Sequence, residues 1–395
     1  MTNWKRGVYV DPRAVAAHPD YAKRLVEEAG VDHFVMRSSY GLNIPEAVGQ
    51  ASQIARDLKA DVCLMTGTFW GDANIKPVEG LATKSHESQY PMELPGTEID
   101  TGVVAKLEKM CRENKPDAIC LTHARFRHPG YMDSVFYDGK DDPAFCARME
   151  AGGIPRPEVD KAKAEAEKAL AAADKGWLLK KAESGLIAFL GELTQNDVWE
   201  RYFAFRRRIV SASYRAFAKT VKRFPGIAFG TNAYNPTAAR VTGLDYENFD
   251  DICEFVQPLM PYMEFHVYQP IAAVAYYVKS HTRLDEPTAV EVARRLLFLG
   301  DTVCPDSISE LDNCGEGKDD AIRSLVGRQL QLSERYLSKP YQLLPVLRGR
   351  DWGRGVTDEL LADMKKRGFS GVVFMGCDYL VPNPPPAEGW LGGWF

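Results

Sequence analysis

Short apolar runs alternate with amphipathic stretches along most of the chain. The runs Gly7–Val10, His33–Ser38, Asp61–Gly67, Ala118–His123 and Ile227–Thr231 each have the length and composition of a buried strand, and Leu259–Val267, Gln342–Leu347 and Gly371–Met375 continue the series. Between them, apolar residues recur on one helical face and predict helices over 20–29, 45–59, 101–114, 197–223, 246–255, 287–299 and 357–367. Buried strands alternating with amphipathic helices imply a parallel sheet. Eight such units predict a closed α/β architecture, the (β/α)8 TIM barrel, with an open doubly wound sheet as the alternative.

Two segments break the alternation. Residues 73–100 read as a loop insertion punctuated by Pro77, Pro91 and Pro95, and residues 129–195 as a partly helical insertion with helices over 157–175 and 182–193. They follow strands three and four on the side where a barrel carries its active site, so they are expected to wall a cleft. The chain has 395 residues, which a barrel of about 250 residues plus these insertions accommodates as a single domain. The final stretch, 381–395, reads VPNPPPAEGWLGGWF; its tryptophans argue for a tail that docks over the mouth or on a neighbouring subunit.

Composition narrows the function classes. The formal net charge is −5, without the basic excess of a nucleic-acid binder. No run approaches the roughly 20 apolar residues of a membrane span, and the first residues lack an apolar signal core. The eight cysteines are scattered, with no CxxC pair, as expected of free thiols in a reducing compartment. The expectation is a soluble cytoplasmic protein with a small-molecule or oligosaccharide ligand, no nucleic-acid or membrane partner, and room for a homo-oligomer.

The strand ends carry the candidate chemistry. Arg37 and Tyr40 follow strand two, Trp70 strand three, and His123, Arg125 and Arg127 strand four. Asn232 and Tyr234 follow strand five, Arg348, Arg350, Asp351 and Trp352 strand seven, and Asp378 strand eight. Leu259–Val267 reads as strand six, and alternation puts Tyr262, Glu264, His266 and Tyr268 on the face towards the barrel axis, near its mouth. Forked guanidinium donors suit carboxylates and hydroxyl-rich ligands, and flat aromatic faces suit sugar rings. GxxxxGK[ST] and GxGxxG are absent, so no nucleotide cofactor is expected; His-x-His, HExxH and CxxC are absent, so no metal is expected; and no GxSxG elbow marks Ser-His-Asp catalysis. The metal alternative is a divalent ion on which His123, His266 and Glu264 converge.

Several segments in order resemble a group of uncharacterised TIM-barrel proteins described as hypothetical glycoside hydrolases. AICLTHARFRHP (118–129) is similar to that group's fourth strand, and FCARME (145–150) to the cysteine element after it. FRRR (205–208) is similar to the start of its long helix, GLDYENFDDICEFVQPLMPYMEFHVY (243–268) to its sixth strand with the preceding helix, and GVVFMGCDYL (371–380) to its eighth. Two features depart: Thr122 or His123 stands where the group has an Asp, and the cysteine element keeps only Cys146. The resemblance implies cleavage of a glycosidic bond by paired carboxyl groups. Glu264 is then the expected proton donor, Asp351 the nucleophile or base, and Asp378 the third candidate. The substrate expected is an acidic or hydroxyl-rich sugar bound by Arg37, Tyr40, Trp70, His123, Arg125, Arg127, Asn232, Tyr234, His266, Tyr268, Arg348, Arg350 and Trp352. The alternatives are a sugar or sugar-acid lyase or isomerase using Glu264 and His266, and a barrel that binds carbohydrate without catalysis.

Overall fold

A computed structural model describes residues 4–37, 45–67, 98–122, 124–126, 132–137, 143–260, 263–315, 317–339, 342–348 and 352–375. Its strands are β1 (Lys5–Val10), β2 (His33–Arg37), β3 (Asp61–Gly67), β4 (Ala118–Thr122), β5 (Ala228–Ala233), β6 (Phe255–Pro258), β7 (Val346–Arg348) and β8 (Gly371–Met375). All pair in parallel, in the order β6-β5-β4-β3-β2-β1-β8-β7. The ring closes between β6 and β7 through the bridges Val256–Leu343 and Leu259–Val346. There the Leu344 N–H donates to the Val256 carbonyl at 2.9 Å and the Met260 N–H to the Val346 carbonyl at 3.1 Å. The protein is a (β/α)8 barrel.

Alternation along each strand sorts the side chains into two cores. Val8, Val10, Phe34, Met36, Val62, Leu64, Ile119, Leu121, Val372 and Phe374 face outwards and merge with the apolar faces of the helices. Tyr9, Val35, Cys63, Met65, Ala118, Cys120, Phe255, Val346, Val373 and Met375 fill the barrel itself. Each such aliphatic side chain taken from water contributes about 1.5–3 kcal/mol before entropy is subtracted. The inner core interlocks large against small. The Phe255 ring lies where a side chain on Gly230 would be, 2.5 Å from the position of its Cβ, and Val373 and His33 fill the space left at Gly7.

The segment between β4 and β5 carries helices Met132–Tyr137, Pro143–Ala151, Arg156–Ala172, Lys175–Ala182 and Leu186–Thr194 before the long helix Val198–Val221. Arg206 of that long helix is fully buried. Its guanidinium lies 4.1 Å over the Phe126 ring and donates to the Val135 carbonyl at 2.9 Å. One side chain thus ties the long helix both to the chain leaving β4 and to the start of the added helices. Of the loop expected over 73–100, only its last residues, in helix Glu98–Asn114, are described.

The sixth strand differs from the sequence expectation. The preceding helix stops at Ile252, the strand is Phe255–Pro258, and Glu264–Tyr268 is a turn of π-helix running into the helix Gln269–His281. Proline at 258 and 261 gives the backbone no N–H with which to extend the ladder. Met263, Val267, Tyr268 and Ile271 are buried while Glu264 and His266 are partly exposed, which is helical spacing, not alternation. Glu264, His266 and Tyr268 therefore do not share one face of a strand. β7 is also shorter than expected, beginning at Val346 instead of Gln342.

Candidate active site

The C-terminal ends of β4, β5 and β6 bring three of the expected residues into contact. After β4 the Phe126 N–H donates to the Thr242 carbonyl at 2.8 Å, which, with Arg206 on the Phe126 ring, fixes the chain at Arg125. Arg125 is only 4% exposed. Its guanidinium stands 4.6 Å over the Tyr234 ring and donates to the Phe126 carbonyl at 3.1 Å. Tyr234, just beyond β5, meets the His266 ring edge-on, with centroids 5.2 Å apart and planes at 78°. The three side chains form one stack across three neighbouring strand ends.

Second contacts hold that stack in place. The Asn235 side-chain amide donates to the His266 carbonyl, pinning the π turn to the end of β5. The Tyr246 hydroxyl donates to the Tyr234 carbonyl at 2.8 Å. Burial pushes the Tyr246 hydroxyl far above its ordinary pKa, so it remains a donor.

Below the mouth lies a polar network inside the barrel. The Asn232 amide donates to the Tyr9 hydroxyl at 2.9 Å, and its oxygen accepts from Thr122 at 3.2 Å. The Tyr9 hydroxyl donates to the Gln257 oxygen at 3.3 Å, which also accepts from the Cys120 thiol at 3.5 Å. Sequence reasoning misses Tyr9, Thr122 and Gln257 as site residues. Alternation in the first and fourth strands places Tyr9 and Thr122 inwards and is the available signal. Gln257 carries none, because it precedes the apolar run that reads as strand six.

The remaining candidates divide into two groups. Glu264 opens the π turn, partly exposed. It lies beside Cys314, which with Tyr268, Cys304, Lys318 and Asp320 lines a groove of about 670 Å³. Arg348 ends β7 half-buried. Tyr234, Tyr268 and Trp352 are buried in the core, at 0%, 0% and 3% exposure, so none presents an open face for a sugar. That corrects the expectation for Tyr234, Tyr268 and Trp352, whose aromatic surface is taken up by packing. Tyr40, Trp70, His123, Arg127, Arg350, Asp351 and Asp378 lie outside the described residues, as does the side chain of Arg37 at the end of β2. Among the described residues no three His, Cys, Asp or Glu come together as a metal site, and no helix is long and apolar enough to cross a membrane.

No protein-family model and no curated protein matches the chain. Among solved structures it is similar to a chitinase from Chromobacterium violaceum ATCC 12472, at 8% identity over 94% of this chain and 93% of that one, with a TM-score of 0.44. It is similar to a chitinase-like agglutinin from Robinia pseudoacacia at 8% identity, over 98% and 97% of the two chains, TM-score 0.44. An α-amylase from Malbranchea cinnamomea aligns at 9% identity over 100% of this chain and 73% of its own, TM-score 0.37. The fold assignment stands on the strand pairing described above.

Proposed function

We propose that the protein is a carbohydrate-active enzyme of glycoside-hydrolase type, working at the C-terminal mouth of the barrel on an acidic or hydroxyl-rich sugar. The observation that carries this reading is the Arg125–Tyr234–His266 stack at the ends of β4, β5 and β6. A buried guanidinium held over a tyrosine ring is fixed in place and its charge is partly desolvated. That is the arrangement with which a forked donor recognises a carboxylate or paired hydroxyls. In this reading Glu264 protonates the leaving oxygen, and Asp351, with Asp378 as the other candidate, acts as nucleophile or base. His266, held edge-on against Tyr234, orients the leaving sugar.

A second reading keeps Glu264 as a base that abstracts a proton next to a sugar carboxylate bound by Arg125, with expulsion of the neighbouring oxygen, a lyase reaction. Product analysis separates the two, since elimination leaves a carbon–carbon double bond that absorbs in the ultraviolet and hydrolysis does not.

The test is turnover of a panel of aryl glycosides and uronides by the full chain. Glu264→Gln and Asp351→Asn are each expected to lower kcat by about 10²-fold or more, the scale of lost acid–base assistance, with the fold intact by circular dichroism. Unchanged turnover of a cleaved substrate in both variants would remove the assignment.

A further inference from the structure

Outside the barrel, the added helices form a second concave site. A groove of about 620 Å³ runs between helix Leu186–Thr194, the long helix Val198–Val221, the turn after β5 and the end of helix Glu286–Leu296. Leu186, Ile187, Val241, Leu297 and Phe298 give it apolar walls. Arg125, Tyr234 and His266 do not line it. A concave site of this size, apolar with a few polar groups set among the walls, is the kind that holds small molecules. The backbone at the groove is strained. Phe298 ends helix Glu286–Leu296 in the left-handed region, at φ +57°. Its N–H donates to the Arg295 carbonyl at 2.9 Å and the Leu299 N–H to the Arg294 carbonyl at 2.8 Å, a helix end at which glycine is the ordinary residue. What phenylalanine supplies there is a ring, which takes the space a Gly185 side chain would need and lies half-buried at the groove. Gln195, on the rim, is left-handed as well, at φ +53°. Strain held in place by its surroundings collects at ligand sites.

The charge at the groove is Arg207. In the run FRRR, Arg206 lies over the Phe126 ring and Arg208 over the Phe205 ring, while Arg207 lines the groove. Its side chain is 23% exposed and makes no hydrogen bond to another described residue. The carboxylate nearest it, Asp245, lies 3.8 Å from Nε and already accepts from the Glu247 N–H and the Asn248 amide. Burial lowers the pKa of this guanidinium more than Asp245 raises it, which marks a charge without full compensation. Three other charged groups on the groove have partners: Arg240 pairs with Glu247 at 2.6 Å, Glu192 with Lys181 at 2.9 Å and Asp197 with Arg201 at 3.0 Å. Glu200, about two turns before Arg207 on the same helix, stands exposed.

We propose that this groove binds a small carboxylic acid with an apolar or aromatic body, its carboxylate on Arg207 and its body against Leu297 and Phe298. A guanidinium offers two parallel donors to a planar carboxylate, and Arg207 has its donors to give. The apolar walls take the rest of the molecule out of water. Glu200 opposes the anion from the rim and holds the affinity down. The site stands apart from the mouth, so it does not depend on the chemistry proposed there.

The experiment titrates 2-naphthoate and octanoate into the full chain by isothermal calorimetry, with 2-naphthylmethanol as the uncharged counterpart. One site per chain is expected, with the alcohol weaker than naphthoate by about ten-fold or more, the scale of a hydrogen bond to a charged group. Arg207→Gln should weaken naphthoate by the same factor, and Glu200→Gln should tighten it. Ala188→Trp places a bulky ring on the groove from an exposed helix position and should abolish binding with the circular dichroism unchanged. That variant decides even if Arg207→Gln does not fold. The proposal is overturned if neither acid binds at millimolar concentration, or if binding is the same in Arg207→Gln and Ala188→Trp as in the wild type. Binding lost in Arg125→Gln but kept in Arg207→Gln would put the acid at the mouth and overturn it equally.

Discussion

Tyr9 makes the inside of the barrel polar with a single hydroxyl, giving its proton to Gln257 and receiving one from Asn232. Replacing it by phenylalanine keeps the ring and leaves the Asn232 amide short of an acceptor in a place water does not reach. Tyr9→Phe is expected to cost about 1–3 kcal/mol, the penalty of an unsatisfied buried group, read as a lower urea midpoint at unchanged slope. Asn232 sits at the end of β5 as its place after an apolar run predicts, yet its amide is committed to Tyr9 and Thr122 and not to the mouth. Arg125 and Tyr234 are legible in the sequence because a charged and an aromatic residue each follow a clear apolar run. Tyr9 escapes notice because a tyrosine within such a run reads as core, which it also is.

At the scale of elements, the π turn Glu264–Tyr268 decides what the mouth can do. It projects His266 against Tyr234, and Asn235 holds it by the His266 carbonyl. Asn235→Ala should therefore loosen the turn more than the fold. The expected outcome is a fall in kcat of about ten-fold, the scale on which misplacing a reacting group acts, with a stability loss of about 1 kcal/mol, checked by turnover and thermal unfolding together. The turn also marks the limit of sequence reading. The run from Tyr262 to Tyr268 satisfies a period of two, yet Met263, Val267, Tyr268 and Ile271 equally satisfy a helix, and so short a window does not separate them. The actual strand has four residues, one of them glutamine and the last proline, too short and too polar to announce itself. The other strands are legible because their apolar runs are buried on both faces, as a parallel sheet requires.

For the whole molecule, the buried acids set a pH profile. Burial raises Cys253 and Tyr214 above their ordinary values and Cys111 to about 11. Above pH about 9 for the cysteines and about 10 for the tyrosine the unfolded chain releases these protons while the folded chain keeps them, so the unfolded state binds fewer and stability falls as pH rises. Cys63, lowered to about 6, acts in the opposite sense: between there and about 9 the unfolded chain holds a proton the folded one has lost, so stability rises with pH. A maximum close to pH 9 is expected. Beyond it the decline should be about 1.4 kcal/mol per pH unit for each fully buried group, measured by urea unfolding at pH 8, 9 and 10. A steady rise through pH 10 would contradict it. Among the described residues the ring is uneven, since seven of its joints are strand ladders while β6 meets β7 through two bridges. A hoop with one thin joint flexes there first. Any widening of the mouth is therefore taken up on the side of Glu264 and Arg348, while the strands from β1 to β5, and the Arg125–Tyr234 contact they carry, move as one rigid slab.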